Sequence, residues 1–146
     1  MEPRMKIANV VPEAYDAVLG LEKYASAHVD PTLYELVKLR ASMINGCGFC
    51  IDMHSHDALK AGETPQRLFE LMAWREVDCF TDKERAALAL VDQVTRLDEG
   101  GVSDEVWDEA NAQFTEEEVA NLLVAIATIN VWNRVAIPTR MQPPKR

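Results

Sequence analysis

The sequence predicts an all-α fold, a single-domain helical bundle of about six to seven helices over residues 1–146. Three observations predict it. No run alternates apolar and polar residues in the manner of a half-buried strand. The pattern Leu33, Leu36, Val37, Arg40, Ala41 and Ile44 follows the helical period instead. Helix start and stop residues also divide the chain at short, regular intervals.

Each element has its own signal. Pro12 to about Ala27 reads as a first, weakly amphipathic helix. Asp30-Pro31 supplies an N-cap followed by proline at the first helical position, and opens a second helix whose apolar arc Leu39 and Met43 widen. Asn45-Gly46 stops it. A third helix starts near Cys47 and stops at Gly62. Thr64-Pro65 caps the next, expected to run to about Glu76. Thr81 with Glu84 forms a capping box for a helix ending near Leu97, and Glu99-Gly100-Gly101 is the clearest loop. Ser103 caps a short helix to about Phe114. Thr115 with Glu118 is a second capping box, opening a last helix of about 115–137. That helix is apolar on nearly all sides, so more than one neighbour must cover it, and a second subunit is an expected source of cover. From Pro138 the tail reads as frayed, with Pro143-Pro144 ending any helix.

Bulk properties narrow the function. The chain has 146 residues, the usual size of one domain, with 48% hydrophobic and 27% charged residues. A net charge of -9, from 24 acidic and 15 basic residues, repels phosphate backbones and anionic lipid, so neither nucleic acid nor membrane is an expected partner. Residues 1–10 carry Glu2, Arg4 and Lys6 and lack the apolar core of a signal peptide. The apolar stretch Val119 to Ile137 is broken by Asn121, Asn130, Asn133 and Arg134, which makes it a poor membrane span. Three cysteines cannot pair completely, and two of them lie three apart. That arithmetic favours a reducing, cytoplasmic setting and redox or metal chemistry over structural stapling.

The chemistry concentrates in Asn45-Gly46-Cys47-Gly48-Phe49-Cys50-Ile51-Asp52-Met53-His54. At 100° per residue, Cys47, Cys50, Ile51, His54, Ala58 and Ala61 share one helix face. Residues three apart sit about 5–6 Å apart at Cβ, so slight distortion of a first turn closes a disulfide that is easily made and easily reduced. The helix start favours a thiolate, more so at Cys47, which lies nearer the free N–H groups. His54 lies one turn beyond Cys50 and can take its proton, which favours Cys50 as the reactive thiol. The bland alternatives are two buried cysteines beside a satisfied core histidine, or a structural zinc site with Glu35 or Cys79 as fourth ligand.

The remaining polar residues read more plainly. Glu35 lies on the polar edge of its helix, where composition alone makes it a solvated carboxylate. His56 falls opposite the cysteine face and is expected in solvent. His28 sits near a helix end, where its charge is favourable. Cys79 reads as an ordinary thiol between helices. Asn130 and Asn133 share the core face of the last helix and need hydrogen-bond partners. Arg134 on its flank is expected to pair with a carboxylate, Glu35 being one candidate.

Glu35, eleven residues, Cys47-Gly-Phe-Cys50, three residues and His54 together resemble the AhpD-like alkylhydroperoxidases of the carboxymuconolactone decarboxylase superfamily. The resemblance is strongest from Asp30 to Pro65 and reappears in Ile129-Asn130-Val131-Trp132-Asn133-Arg134. It implies an AhpD-like, all-helical fold assembled as a trimer or hexamer. It implies a thiol-dependent peroxidase with Cys50 as peroxidatic thiolate, Cys47 as resolving thiol, His54 activating Cys50, and Glu35 completing a proton relay. It further implies a peroxide substrate and a dithiol electron donor such as a lipoyl carrier, with neither cofactor nor metal. Phe49 stands where the namesake has a histidine, so the proton network here is shorter. The decarboxylase branch lacks the cysteine pair, so lactone decarboxylation fits poorly. Two other functions compete: a redox switch or disulfide reductase using the same pair, and a zinc-stabilised helical interaction protein.

Overall fold

The computed structural model describes residues 1–97 and 100–145. Among these residues the regular structure is helical throughout. The elements are α1 (Ile7–Val10), α2 (Pro12–His28), α3 (Pro31–Asn45), α4 (Gly48–Lys60), α5 (Pro65–Glu70), α6 (Asp82–Thr95), α7 (Asp104–Gln113) and α8 (Glu116–Thr139). A 3-10 turn, Leu71–Ala73, follows α5. The all-α expectation holds. The extra helix is α1, whose single turn is too short to show a period in the sequence.

The helix starts use the caps that the sequence signals. Asp30 accepts from the Leu33 N–H at 3.1 Å, Thr64 from Arg67, and Ser103 from Val106. Thr81 and Thr115 close complete capping boxes with Glu84 and Glu118. Each such cap stabilises its helix by about 1 kcal/mol.

Packing is organised around α3, which lies against α4, α6 and α8 and buries nine of its fifteen residues. One side of α3, through Leu33, Val37 and Ala41, joins Leu90, Leu122 and Ile126 in the larger core. The other side, through Leu36 and Leu39, packs with Leu68, Trp74, Phe80 and Leu88. A fully buried leucine contributes about 1.5–3 kcal/mol relative to exposure. Helix α8 is long and apolar enough, by length and composition, to cross a membrane. In this fold it packs against α2, α3 and α6 and buries Val119, Leu122, Ala125, Ile126 and Ile129.

Two expected helix ends are corrected. The helix after Thr64-Pro65 stops at Glu70, not near Glu76. Carbonyls beyond it leave the helical ladder to meet guanidinium groups: Met72 O accepts from Arg40 at 3.2 Å, and Trp74 O and Val77 O each accept from Arg85 at 2.9 Å. At the other end, α8 does not fray at Pro138 but runs to Thr139. Arg140 turns into the left-handed region at φ 56°, and the Met141 N–H bonds back to Ala136 O at 3.0 Å. The Arg4 N–H caps Thr139 O at 2.9 Å, and the Arg4 side chain donates to Pro138 O at 3.1 Å. Of the expected Glu99-Gly100-Gly101 loop, Glu99 lies outside the described residues; Gly100 and Gly101 both have positive φ.

Candidate redox-active site

The site begins at the turn between α3 and α4. Gly46 takes φ 71°, a left-handed conformation that a side chain would strain, and lets the Cys47 N–H return to Ser42 O at 2.9 Å. This reverses the chain within two residues and makes Cys47 the N-cap of α4, its Sγ accepting from the Cys50 N–H at 3.4 Å. Cys47 and Cys50 are joined as a disulfide with Cα atoms 5.3 Å apart. Both residues are buried, against Ala136 of α8 and the flanking Phe49 and Met141.

One turn along α4, His54 is buried and its Nδ1 lies 3.1 Å from Glu35 Oε2 on α3. The carboxylate fixes the proton on Nδ1, which leaves the Nε2 lone pair as an acceptor. Nε2 is buried and without a hydrogen-bond partner. His54 and Cys50 line one cavity of about 310 Å³, together with Phe49, Lys38, Glu22 and Trp132.

Behind the histidine runs an ionic network that the sequence reading missed. Lys38 Nζ lies 3.0 Å from Glu35 Oε1 and 3.1 Å from Glu22 Oε1, and 3.8 Å above the Tyr34 ring centroid. Glu22 also accepts from the Tyr34 hydroxyl at 2.7 Å and from Trp132 Nε1 at 3.1 Å. Burial pushes the Glu35 carboxyl up, but the His54 hydrogen bond and the Lys38 charge outweigh it and hold the group below the usual carboxylate range. Burial likewise opposes Glu22, whose bond from Tyr34 and pairing with Lys38 win, so it too is lowered. The Tyr34 hydroxyl is pushed up by burial and by Glu22. A lysine inside the apolar run Leu36 to Ala41 was the available signal for Lys38, since a buried ammonium requires partners. Glu22 had none, because α2 carries little amphipathic pattern.

A second buried network lies on the opposite side of α3. Arg40 forks onto Asp92 at 2.6 and 3.1 Å, and Arg75 and Trp74 Nε1 donate to the same carboxylate. The carboxyl of Asp92 is opposed by burial but held down by Arg40 and Arg75.

The structure distributes the other polar candidates. Arg134 does not reach Glu35; it donates to Asn130 O and Oδ1 at 3.2 and 2.7 Å, on the side of α8 that faces Val94, Thr95 and Leu97. Asn45 donates to both Asn130 and Asn133, at 2.9 and 2.8 Å, and Asn133 donates to Ser42 at 3.0 Å. These amides therefore fasten α8 to the α3 C-terminus beside the disulfide. His28 Nδ1 bonds Tyr24 O at the end of α2. His56 is half-buried rather than fully solvated, with Nδ1 on Asp52 O at 2.7 Å. Cys79 lies on Glu70 at 3.3 Å, and burial and that carboxylate push its thiol up. Among the described residues, no group of three His, Cys, Asp or Glu side chains is placed to hold a metal.

The sequence profile of the carboxymuconolactone decarboxylase family matches residues 11–93. The uncharacterised protein YdfG of Bacillus subtilis is 39% identical over 138 residues, covering 94% of both chains. A crystal structure from Agrobacterium tumefaciens, of a protein of unknown function whose suggested role is AhpD antioxidant defence, superposes with a TM-score of 0.96. It is 40% identical and covers 99% of this chain and 100% of its own. The alkyl hydroperoxide reductase AhpD of Coxiella burnetii is 44% identical over 46 residues, which are 32% of this chain and 26% of that protein. A debrominase bound to 2,3,4-tribromopyrrole shares the fold with a TM-score of 0.83 at 22% identity, covering 93% of this chain and 73% of its own.

Proposed function

From the premise that this chain belongs to the carboxymuconolactone decarboxylase family, we propose that it is a thiol-dependent peroxidase working through Cys50, Cys47, His54 and Glu35. The observation that carries this reading is the pairing of a CxxC disulfide with a buried histidine that is oriented by a carboxylate yet keeps Nε2 unpartnered beside Cys50 in one cavity. A structural core histidine would have both nitrogens satisfied.

In the reduced chain, Nε2 of His54 accepts the Cys50 proton, and Glu35 stabilises the imidazolium so formed. The thiolate attacks the nearer peroxide oxygen, the O–O bond breaks, and the departing alkoxide takes a proton from His54. Cys50 is left as a sulfenic acid. The Cys47 thiol attacks that sulfur, water leaves, and the disulfide forms. A dithiol donor, of which a lipoyl carrier is one example, then restores both thiols. Lys38 holds Glu35 charged throughout and so keeps the histidine oriented.

Mass spectrometry with stoichiometric peroxide tests the cycle. Cys47→Ser should accumulate sulfenic acid on Cys50, while Cys50→Ser stays largely unreactive and the parent chain passes directly to the disulfide. Sulfenic acid on Cys47 in Cys50→Ser would reverse the roles. A reduced parent chain that neither oxidises nor consumes peroxide with dithiothreitol would remove the peroxidase reading and leave its competitors, a redox switch or disulfide reductase or a zinc-stabilised interaction protein. Assembly as a trimer or hexamer is part of the same reading, supported by exposed apolar residues such as Leu19 and Leu21 on α2 and Val131 on α8. Light scattering that finds a stable monomer at micromolar concentration would sink it.

A further inference from the structure

The Cys47–Cys50 bond lies between two cavities, and each cysteine lines a different one. Cys50 shares the 310 Å³ cavity with His54, Glu22 and Asp57. Cys47 lines a neighbouring cavity of about 380 Å³ together with Gly46, Gly48, Arg4 and Arg140. Phe49, Ala136 and Met141 belong to both walls and form the partition. The two differ in charge. The Cys50 cavity holds the Glu22 and Asp57 carboxylates with the Lys38 ammonium paired to Glu22, whereas the described residues lining the Cys47 cavity include two guanidinium groups and neither Asp nor Glu. In a chain of net charge -9, a cationic cavity beside a disulfide sulfur is an exception to the surrounding field.

We infer that the disulfide is reduced from the Cys47 side by an anionic dithiol that enters this second cavity, while the oxidant meets Cys50 on the other side. The inference rests on the proposed cycle in taking the disulfide as its oxidised state and His54 as the proton partner of Cys50. In thiol–disulfide exchange the attacking thiolate approaches one sulfur from the side opposite the other, and the sulfur better stabilised as a thiolate leaves. Cys50 departs into the cavity that His54 lines, where it takes up the proton given up by the donor's first thiol and relayed through His54 Nε2. Attack therefore falls on Cys47, and its approach is through the Arg4–Arg140 cavity. The donor thiolate bonds to Cys47 Sγ as the Cys47–Cys50 bond breaks, and Cys50 takes up the electron pair. The donor's second thiol, losing its proton, then attacks the donor sulfur of the mixed disulfide. Cys47 leaves with that bond's electron pair and is protonated, and the donor departs as its cyclic disulfide. Two electrons and two protons pass from donor to protein, and the two guanidinium groups hold the donor's negative charge during both steps.

Dihydrolipoate and dihydrolipoamide test this directly, because they are the same dithiol with and without a carboxylate. The readout is loss of the protein disulfide without peroxide, by acid quench, alkylation and mass spectrometry, each donor normalised to its rate on a small disulfide. Dihydrolipoate should be faster on the parent chain, by about two- to fivefold for each guanidinium at low salt, and the advantage should shrink as salt is raised. Arg4→Gln and Arg140→Gln should each slow dihydrolipoate more than dihydrolipoamide and so reduce that advantage. Equal normalised rates on the parent chain, or variants that slow both donors alike, would overturn the inference; the parent-chain comparison and its salt dependence stand even if a variant folds poorly. As an independent arm, the dianionic 5,5'-dithiobis(2-nitrobenzoate) should label Cys47 in Cys50→Ser with steeper salt dependence than Cys50 in Cys47→Ser. The reverse order would count against the assignment. A chain with the donor preference that never consumes peroxide would keep this inference and lose the peroxidase reading, and a chain that consumes peroxide with no donor preference would do the opposite.

Discussion

Lys38 and Arg40 lie two residues apart on α3, each carrying a buried cation into a carboxylate network, and the two networks end differently. The Arg40 network closes on itself. Asp92 takes a fork from Arg40 and further donors from Arg75 and Trp74, tying α3 to α6 and to the segment after the 3-10 turn. The Lys38 network does not close. It runs from Glu22 through Lys38 and Glu35 to His54 and ends at Nε2, a buried nitrogen with no partner beside a cavity. Burying charge is tolerated only when every lone pair and proton is met. A network that satisfies that condition holds elements in place. One that leaves a single acceptor unmet next to a cavity has an atom still able to take a proton. On the proposed reading the same helix carries a structural network and a chemical one, and the difference lies in one nitrogen atom.

The largest effect that would test this contrast is on His54. His54→Ala should slow thiolate alkylation of the reduced chain and peroxide consumption by about 10²–10⁴-fold, with the fold intact by circular dichroism. Reaction at the parent rate would place His54 with the structural residues. The closed network should respond in the opposite way. Asp92→Ala leaves Arg40 buried without its carboxylate and should cost about 3–5 kcal/mol in urea unfolding, with the reactivity of the folded fraction unchanged. A large loss of thiol reactivity in the folded fraction would show that the two networks are coupled through α3.

Lys38→Met should lie between these extremes. It faces Glu22 with Glu35 across a lost cation, at about 1–3 kcal/mol of stability. It should also move the acid limb of thiol reactivity to higher pH, because Glu35 loses one of the charges that hold its carboxyl down. A purely structural lysine would change the stability and leave that limb in place.

The smallest effect is the shared response to acid. Glu22, Glu35 and Asp92 are all held below their ordinary values of 4.5, 4.5 and 3.8. A carboxyl lowered by folding binds fewer protons in the native state than in the unfolded one, so stability rises with pH through this range. The contribution is complete above about pH 5 and is lost as pH falls through the unfolded and then the folded values. Urea unfolding between pH 7 and pH 5 should therefore change little from these groups and then weaken progressively below pH 5. Stability that rose on acidification would contradict the assigned directions.

The sequence by itself determined most of the helical layout, because caps and period are local. Asp30, Thr81, Ser103 and Thr115 act on backbone groups three residues away, so their signals can be read without knowing what packs on them. The Cys47–Cys50 spacing and His54 one turn later were legible for the same reason, as geometry within one helix. Local signals failed where distant groups competed for the backbone: Arg40 and Arg85 draw the carbonyls after Glu70 out of a helix, and Arg4 secures the end of α8 beyond Pro138. Only the tertiary structure decided which partner each buried charge would have. Glu35 meets His54 across two helices, Lys38 meets Glu22 from α2, and Arg134 is left to Asn130. The two-sided setting of the disulfide is likewise tertiary, since its partition is made by Phe49 of α4 together with Ala136 and Met141 from the far end of the chain. A helical period states which face a side chain shares; it carries no information about the atom that will come to rest against it.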